Sequence, residues 1–276
     1  MARRAGVLGS PIIHSLSPTL HRAGYGAAGL GEWSYTAHEI DEGGLAPFVA
    51  RLDGTWRGLS LTMPLKVAAF EVAESVTDTA RSARAINTLV RTGTGWAADN
   101  TDVHGITAAL RGAGAVDIEH ATILGSGATA RSALLGLVGL GAGRITVAAR
   151  TPERAETLRE VADVDLEVVP LHAWARTGAT AVVATLPGGP AGLAAAEHAG
   201  DGLRGVTLLD VVYADWPTPL ASAAAGHGAR VVSGLEMLVH QAARQFELFT
   251  GESAPVSAMQ AAGRSALGQG GHTPDE

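Results

Sequence analysis

Read as apolar and polar positions, the chain alternates short β-branched runs with Ala-rich stretches of helical period as far as about residue 250. Residues 6–13 and 33–38 read as strands, with a helical stretch from Pro18 towards Gly26 between them. Leu59–Thr62 reads as a third strand that runs into Pro64 and a helical stretch to Glu74. Proline suits a first helical turn, because its missing N–H would have had no intrahelical partner there. Residues 85–91 and 95–98 read as two more strands joined by a Gly-containing turn. Beyond them the pattern predicts strands at 121–125, 145–149, 166–169, 180–184, 205–210 and 229–232, with helices at 130–138, 152–162 and 218–225. Several of these strands are almost wholly apolar, as expected when helices cover both faces of a parallel sheet.

A last long helix is predicted from Leu235 to Phe249. Leu235, Leu238, Val239, Ala242, Phe246 and Phe249 form its apolar stripe, and Gly251 is its stop. Residues 185–204 carry no assignable period, and the segment after about Gly263 reads as a loose tail of small and polar residues. The fold class expected is α/β, with a doubly wound sheet in the second half.

Composition narrows the function classes. There are 20 basic and 27 acidic residues, a net charge of -7, which makes nucleic acid and acidic membranes poor partners. Glycine, proline and charge interrupt every apolar run before it reaches a membrane-spanning length. The basic start, Met1–Ser15, lacks an apolar core of signal-peptide size. Cysteine is absent, which removes disulfides, thiolate nucleophiles and Cys-ligated metals. No metal-site spacing appears either, and a cytoplasmic location is compatible with that composition.

One turn carries a specific chemistry. The strand Ala121–Leu124 leads into Gly125-Ser126-Gly127-Ala128-Thr129-Ala130 and then a helix. Gly125 permits a tight turn, Gly127 lets the backbone approach a pyrophosphate, and Ala130 keeps the helix close to the strand. The helix start offers free N–H donors to the phosphates. An NAD site places Asp or Glu at the end of the next strand. Here that end reads Ala149-Arg150-Thr151-Pro152-Glu153-Arg154, with two guanidiniums and no carboxylate at the strand end. Arg150 can pair with a 2′-phosphate, Arg154 adds charge from the helix's first turn, and Thr151 can cap that helix and offer its hydroxyl. NADP is favoured over NAD.

The ordered motifs SPIIHSLSP, SLTMPLK, AINTL, ADNTD, GSGATA, ART, DVVYADWPTPL and GLEMLVHQAARQF span most of the chain. In that order the sequence resembles the shikimate dehydrogenase family, in the form found in high-GC Gram-positive bacteria. The resemblance implies a split α/β substrate domain, 1–102, and a Rossmann-type NADP-binding domain, 103–234. A helical region, 235–262, would return to the substrate domain, ahead of a tail at 263–276. It implies reversible reduction of 3-dehydroshikimate to shikimate by hydride transfer from NADPH, a step of aromatic amino-acid biosynthesis. A monomer and a homodimer both remain open.

The same resemblance places Ser15 and Ser17 at the substrate carboxylate, and Thr62, Asn87 and Gln241 at ring hydroxyls. Tyr213 is a further pocket residue. Lys66 and Asp102 would flank the reacting oxygen. Gly234 would let the chain turn sharply, and Met237 would abut the nicotinamide, four residues from Gln241 and on the same helix face. Plainer readings stand beside these: Ser17 as a helix cap, Asn87 and Gln241 as structural amides, Met237 as a core filler. Chemically, Lys66 can stabilise the developing alkoxide and protonate it. A helix dipole at its first turn would disfavour the ammonium, whereas the Asp102 carboxylate would favour it.

Departures from the family pattern are Ser60-Leu61 for Asn-Val before Thr62, Arg22 and Ala149 at frequent Asn positions, and Val183 for Asn. Rival readings are a quinate or aminoshikimate dehydrogenase, since few contacts separate such substrates, and a non-enzymatic NADPH-binding sensor.

Overall fold

The computed structural model describes residues 2–268 and builds them around two six-stranded sheets. The chain divides into two units. One holds the residues up to Thr101 together with those from Leu238 onward, and the other runs from Asp102 to Met237. Asp102 and Leu235–Met237 therefore belong with the second unit, so its boundaries lie one and three residues away from the expected 103 and 234.

In the first unit the chain runs β1 (Arg3–Gly9), α1 (Ser17–Ala27), β2 (Trp33–Glu39), α2 (Glu42–Ala50), β3 (Trp56–Leu61), α3 (Leu65–Ala68), β4 (Ser75–Val76), α4 (Asp78–Ala83), β5 (Thr88–Thr92) and β6 (Gly95–Asp99). The strand order is β2-β1-β3-β5-β6-β4. β1 pairs in parallel with β2 and β3, whereas β5 is antiparallel to β3 and β6. Alternation along β1 sends Val7 to one face with Tyr25 and Tyr35, and Leu8 to the other with Leu59, Ile86 and Trp96.

The second unit runs α5 (Asp102–Gly112), β7 (His120–Leu124), α6 (Ala128–Val138), β8 (Arg144–Ala149), α7 (Pro152–Ala155), β9 (Asp165–Pro170), β10 (Ala181–Ala184), α8 (Pro190–Ala196), β11 (Thr207–Asp210), α9 (Pro219–Gly226) and β12 (Arg230–Ser233). Its strands lie in the order β12-β11-β10-β7-β8-β9, all parallel. This is the doubly wound arrangement expected, with its order reversing between β7 and β10. Ile123, Val147 and Val183 pack with Ile106 and Leu134 on one face, and Leu124, Ala148 and Val182 pack with Trp174 and Leu220 on the other.

α10 (Gly234–Thr250) and α11 (Val256–Ala266) close the described chain. From Leu238 on, α10 belongs to the first unit, where Phe246 and Phe249 join the Tyr25 and Tyr35 face. Gly58 makes room for this: a Cβ there would lie 2.0 Å from the Phe249 ring.

Several expected boundaries move. β1 covers Arg3–Gly9 rather than 6–13, because its ladder with β2 ends at Gly9 and Pro11 next offers no donor. The helix expected to Glu74 shrinks to α3 and one 3₁₀ turn, since the Lys66 carbonyl accepts from Ile86 N–H (2.8 Å). The helix expected over 152–162 is α7 followed by 3₁₀ turns, where the Thr157 hydroxyl takes the Arg154 carbonyl (2.8 Å). α2, α4, α5 and α8 were not predicted, the last inside the segment without a period. Asp41 and Thr77 cap two of them by accepting from Gly44 N–H and Ala80 N–H. α11 continues to Ala266, into the expected tail, whose residues 269–276 lie outside the described residues.

Candidate functional site

In the first unit the candidate residues come from the ends of β1, β3 and β5 and from α10. The loop after β1 carries Ser15, whose hydroxyl accepts from Ser17 N–H at 3.4 Å. The helix cap is Leu16, with no side-chain capping bond, so Ser17 does not serve as the cap; it is the buried first residue of α1. Thr62 follows β3, held by Leu8 O through its own N–H, and its carbonyl accepts from Leu65 N–H. Lys66, half-buried, stands on α3. That helix has only four residues, too short to carry the helix dipole expected at Lys66.

Behind these residues lies a buried polar relay. The Tyr35 hydroxyl donates to Ser60 Oγ (2.6 Å), and Ser60 donates to Gln245 Oε1 (2.7 Å). Gln245 Nε2 donates to Asn87 O (3.1 Å) and Thr88 Oγ1 (3.0 Å). Asn87 Oδ1 accepts from the Thr88 hydroxyl (2.7 Å) and Thr101 N–H (2.8 Å). Asn87 Nδ2 points to Gln241 Oε1 (3.4 Å), and Gln241 Nε2 donates to Leu238 O (3.0 Å). Burial pushes the Tyr35 phenol pKa up, against the opposing bonds to Ser60 and Ser17, so its proton stays in place. Ser60 is thus a member of this relay where many relatives carry Asn. Arg22 also finds a role, its guanidinium forking onto Tyr35 O at 3.0 and 2.8 Å.

His21, one turn beyond Ser17, is fully buried and stacked on Tyr35 with ring centroids 4.1 Å apart. Neither ring nitrogen has a partner in hydrogen-bond geometry. Burial lowers its pKa from 6.5 to about 3, and the nearby Gln245 amide opposes part of the shift. Between those values the unfolded chain takes up a proton that the native protein refuses. This contribution to stability is complete above pH 6.5 and is lost as pH falls towards about 3, with a slope of up to ~1.4 kcal/mol per pH unit. Urea unfolding of His21→Phe between about pH 4 and pH 6 should show that slope reduced relative to the parent. An equal slope in both proteins would remove His21 as its source.

The second unit supplies a dinucleotide cradle. Gly125 follows β7 at φ +105°, and a Cβ there would lie 2.8 Å from Thr185 Oγ1, so the turn requires glycine. Gly127 is the N-cap of α6 without any side-chain capping bond, and a Cβ there would meet nothing within 4 Å. Open space thus lies over the uncapped first turn of an eleven-residue helix, with Ser126, Ala128 and Thr129 half-buried around it and Ala130 buried behind it. These residues fit a bound dinucleotide phosphate.

At the end of β8, Arg150 is exposed and lines a cavity of about 280 Å³ with Pro152, Leu171, His172 and His198. The two histidine rings stand edge to face at 5.9 Å. Neither was singled out from sequence, because nothing local joins residues 26 apart. Thr151 occupies the α7 cap position, yet its side chain makes no capping bond, contrary to expectation. Thr151 and Arg154 are both exposed. Val183 is fully buried in the sheet, so the Asn common there would leave a polar group in an apolar face. Gly234 begins α10 where a Cβ would lie 2.2 Å from Val211 O; close backbone approach is what demands glycine. Met237 is buried in the apolar cluster of this unit, and Tyr213 is half-buried beyond β11. Asp102, buried, is the first residue of α5.

Among the described residues, no helix is long and apolar enough to cross a membrane, and no group of His, Cys, Asp and Glu could hold a metal. A parallel sheet with a glycine turn and an arginine-ended second strand, joined to a separate α/β unit, defines a two-domain oxidoreductase of the NADP-binding class. Comparison with known proteins narrows the class. Residues 7–89 match the shikimate dehydrogenase substrate binding domain, and residues 234–262 match the shikimate 5′-dehydrogenase C-terminal domain. Residues 120–213 match the model of coenzyme F420-dependent NADP oxidoreductases.

The shikimate dehydrogenase (NADP(+)) of Acidiphilium cryptum is 38% identical over 91% of each chain. The crystal structure of Mycobacterium tuberculosis shikimate dehydrogenase superposes with a TM-score of 0.86 at 42% identity, covering 96% of this chain and 99% of that one. The Thermus thermophilus shikimate 5-dehydrogenase, solved with NADP(H) and shikimate, gives 0.85 at 31% identity, covering 96% and 100%. The chain belongs to the shikimate dehydrogenase family.

Proposed function

We propose that this protein interconverts 3-dehydroshikimate and shikimate with NADP(H). The observation that carries the reading is the convergence of Asn87 and Gln241. These amides, 154 residues apart in sequence, meet in one buried hydrogen-bonded cluster inside a unit of the substrate-binding type. A purely structural pair would not need the flanking hydroxyls of Ser15, Ser17 and Thr62 at neighbouring strand ends.

In this reading the first unit is the substrate domain, the second binds NADP, and α10 and α11 return to the substrate side. Ser15 and Ser17 donate to the substrate carboxylate, while Thr62, Asn87, Gln241 and Tyr213 orient the ring. Lys66 donates a proton to the oxygen that gains charge, and Asp102 holds the ammonium in line. Bound NADPH supplies the hydride. Gly125, Ser126, Gly127, Ala128 and Thr129 would hold its pyrophosphate, Arg150, Thr151 and Arg154 its 2′-phosphate, and Gly234 and Met237 its nicotinamide. We also read the chain as the form found in high-GC Gram-positive bacteria, a reading supported by its higher identity to the mycobacterial protein than to that of Thermus. A cysteine-free chain is compatible with the cytoplasm.

The test is an assay of purified protein with NADP and NAD against shikimate, quinate and aminoshikimate. Rapid shikimate-dependent NADPH formation is expected. Arg150→Ala should raise KM for NADP by roughly 10- to 150-fold, the equivalent of ~1.5–3 kcal/mol for charge-assisted hydrogen bonds, with little change for NAD. Efficient turnover of quinate or aminoshikimate alone would reject the substrate assignment.

A further inference from the structure

Resting on NADP as the cofactor, we infer that His172 and His198 hold the adenine base of the bound nucleotide in the cavity beside Arg150, through ring nitrogens that the protein itself leaves uncommitted. The sheet brings the parts together. Ala149 and Pro170 are register partners at the ends of β8 and β9, so Arg150 and Leu171 leave the sheet side by side. His172 follows at once, on the 3₁₀ turns Leu171–Arg176. His198 arrives from α8. Glu197 N–H donates to Leu193 O and His198 N–H to Ala195 O, both at 3.1 Å, which carries the turn past the helix's last residue. A buried clip joins the two segments: Trp174 Nε1 donates to Ala195 O at 2.8 Å, and Leu171 packs in the same apolar cluster as Ala195.

The volume and the walls of this cavity describe its ligand. At about 280 Å³ it falls just below the roughly 300–1,000 Å³ of pockets that take a whole small ligand, so it suits one ring system of a dinucleotide. Pro152, Pro170 and Leu171 offer C–H surface, and the prolines bring no N–H into the space. Arg150, His172 and His198 supply the polar groups, and no acidic residue is among the described residues that line it. Arg150 forms no ion pair, and neither imidazole a hydrogen bond, with another described residue. A flat ring with apolar faces, a polar edge and an anion attached nearby fits this set.

NADP carries one such group next to its extra phosphate. The 2′-phosphate and the adenine stand on adjacent carbons of one ribose, so a guanidinium on that phosphate has the base as its neighbour. The cavity adjoins Arg150 in the same way. Adenine presents an amino donor beside a ring-nitrogen acceptor. A neutral imidazole offers one donor and one acceptor, and either ring nitrogen can take either role. Two such rings can answer both groups of the base edge. The nicotinamide, at the far end of the dinucleotide, has no 2′-phosphate beside it. Two ordinary surface histidines would show the same exposure, and binding tells the cases apart.

Titration of the full chain with two nucleotide fragments tests this without turnover. The first, 2′,5′-ADP, carries base and 2′-phosphate and is followed by calorimetry beside NADP itself. The second, AMP, carries the base without the 2′-phosphate and is followed by NMR of the histidine ring protons. His172→Ala and His198→Ala should each weaken both fragments by the same factor, about 2- to 10-fold, the range of one net hydrogen bond. Arg150→Ala should differ in kind, weakening 2′,5′-ADP and sparing AMP. Both rings are exposed, so the alanine variants should melt with the parent. In the parent, AMP should shift two histidine resonances that the respective variants lack. Unchanged affinities in both variants, or unmoved resonances at saturating AMP, would overturn the inference. A loss confined to 2′,5′-ADP would overturn it too, by making the histidines readers of phosphate. Absence of NADP binding by the parent would instead defeat the cofactor reading on which the inference rests.

Discussion

Lys66→Ala should lower kcat for shikimate oxidation by roughly 100- to 10,000-fold, the range that a positioned proton-transfer group contributes. Loss of the ammonium removes both the proton and the positive charge from the reacting oxygen. The variant should stay folded. α3 is held by its backbone and by its neighbour: Leu65 is fully buried, Leu65 N–H donates to Thr62 O, and Lys66 O accepts from Ile86 N–H. None of these needs the lysine side chain. The measurement is a pH–rate profile for parent and variant, with a thermal melt to confirm folding. A small loss of rate with an unchanged profile would remove Lys66 from proton transfer.

The second large effect is expected at Asp102. Asp102→Asn keeps the shape and a helix-starting side chain at the first residue of α5 but removes the charge. In the proposed mechanism the carboxylate holds the Lys66 ammonium in line, so kcat should fall by about 100-fold or more while KM changes little. Two residues acting as one unit should not add: the double variant, Lys66→Ala with Asp102→Asn, should be little worse than Lys66→Ala alone. An unaffected kcat in the single Asn variant would count against any catalytic part for Asp102. Full additivity would separate it from Lys66.

Local pattern made much of this fold legible. The six runs of the second unit became β7 to β12, and the four inner ones, β7, β8, β10 and β11, are buried along nearly their whole length, because a strand covered on both faces advertises itself in sequence. The Gly125 turn was legible for a similar reason, since a φ of +105° next to Thr185 leaves little choice of residue. Helices were harder. α5 and α8 were not predicted, and two expected helices ended early where Ile86 N–H and Thr157 Oγ1 claimed carbonyls that a continuing helix would have used. Those competitors lie in other segments or in rotamer choices that periodicity does not record.

The sequence by itself determined the class of fold, the preference for a dinucleotide phosphate at Gly125–Thr129 and the choice of Lys66, Asp102, Asn87 and Gln241 as candidates. Each rests on chemistry carried by a few neighbouring residues or by an ordered set of motifs. Tertiary structure alone decided that Ser60 and Gln245, 185 residues apart, share a proton, that His21 loses its water, and that His172 and His198 stand beside Arg150. A hydrogen bond's direction depends on every partner around it, and those partners are assembled only when distant strands and α10 pack together.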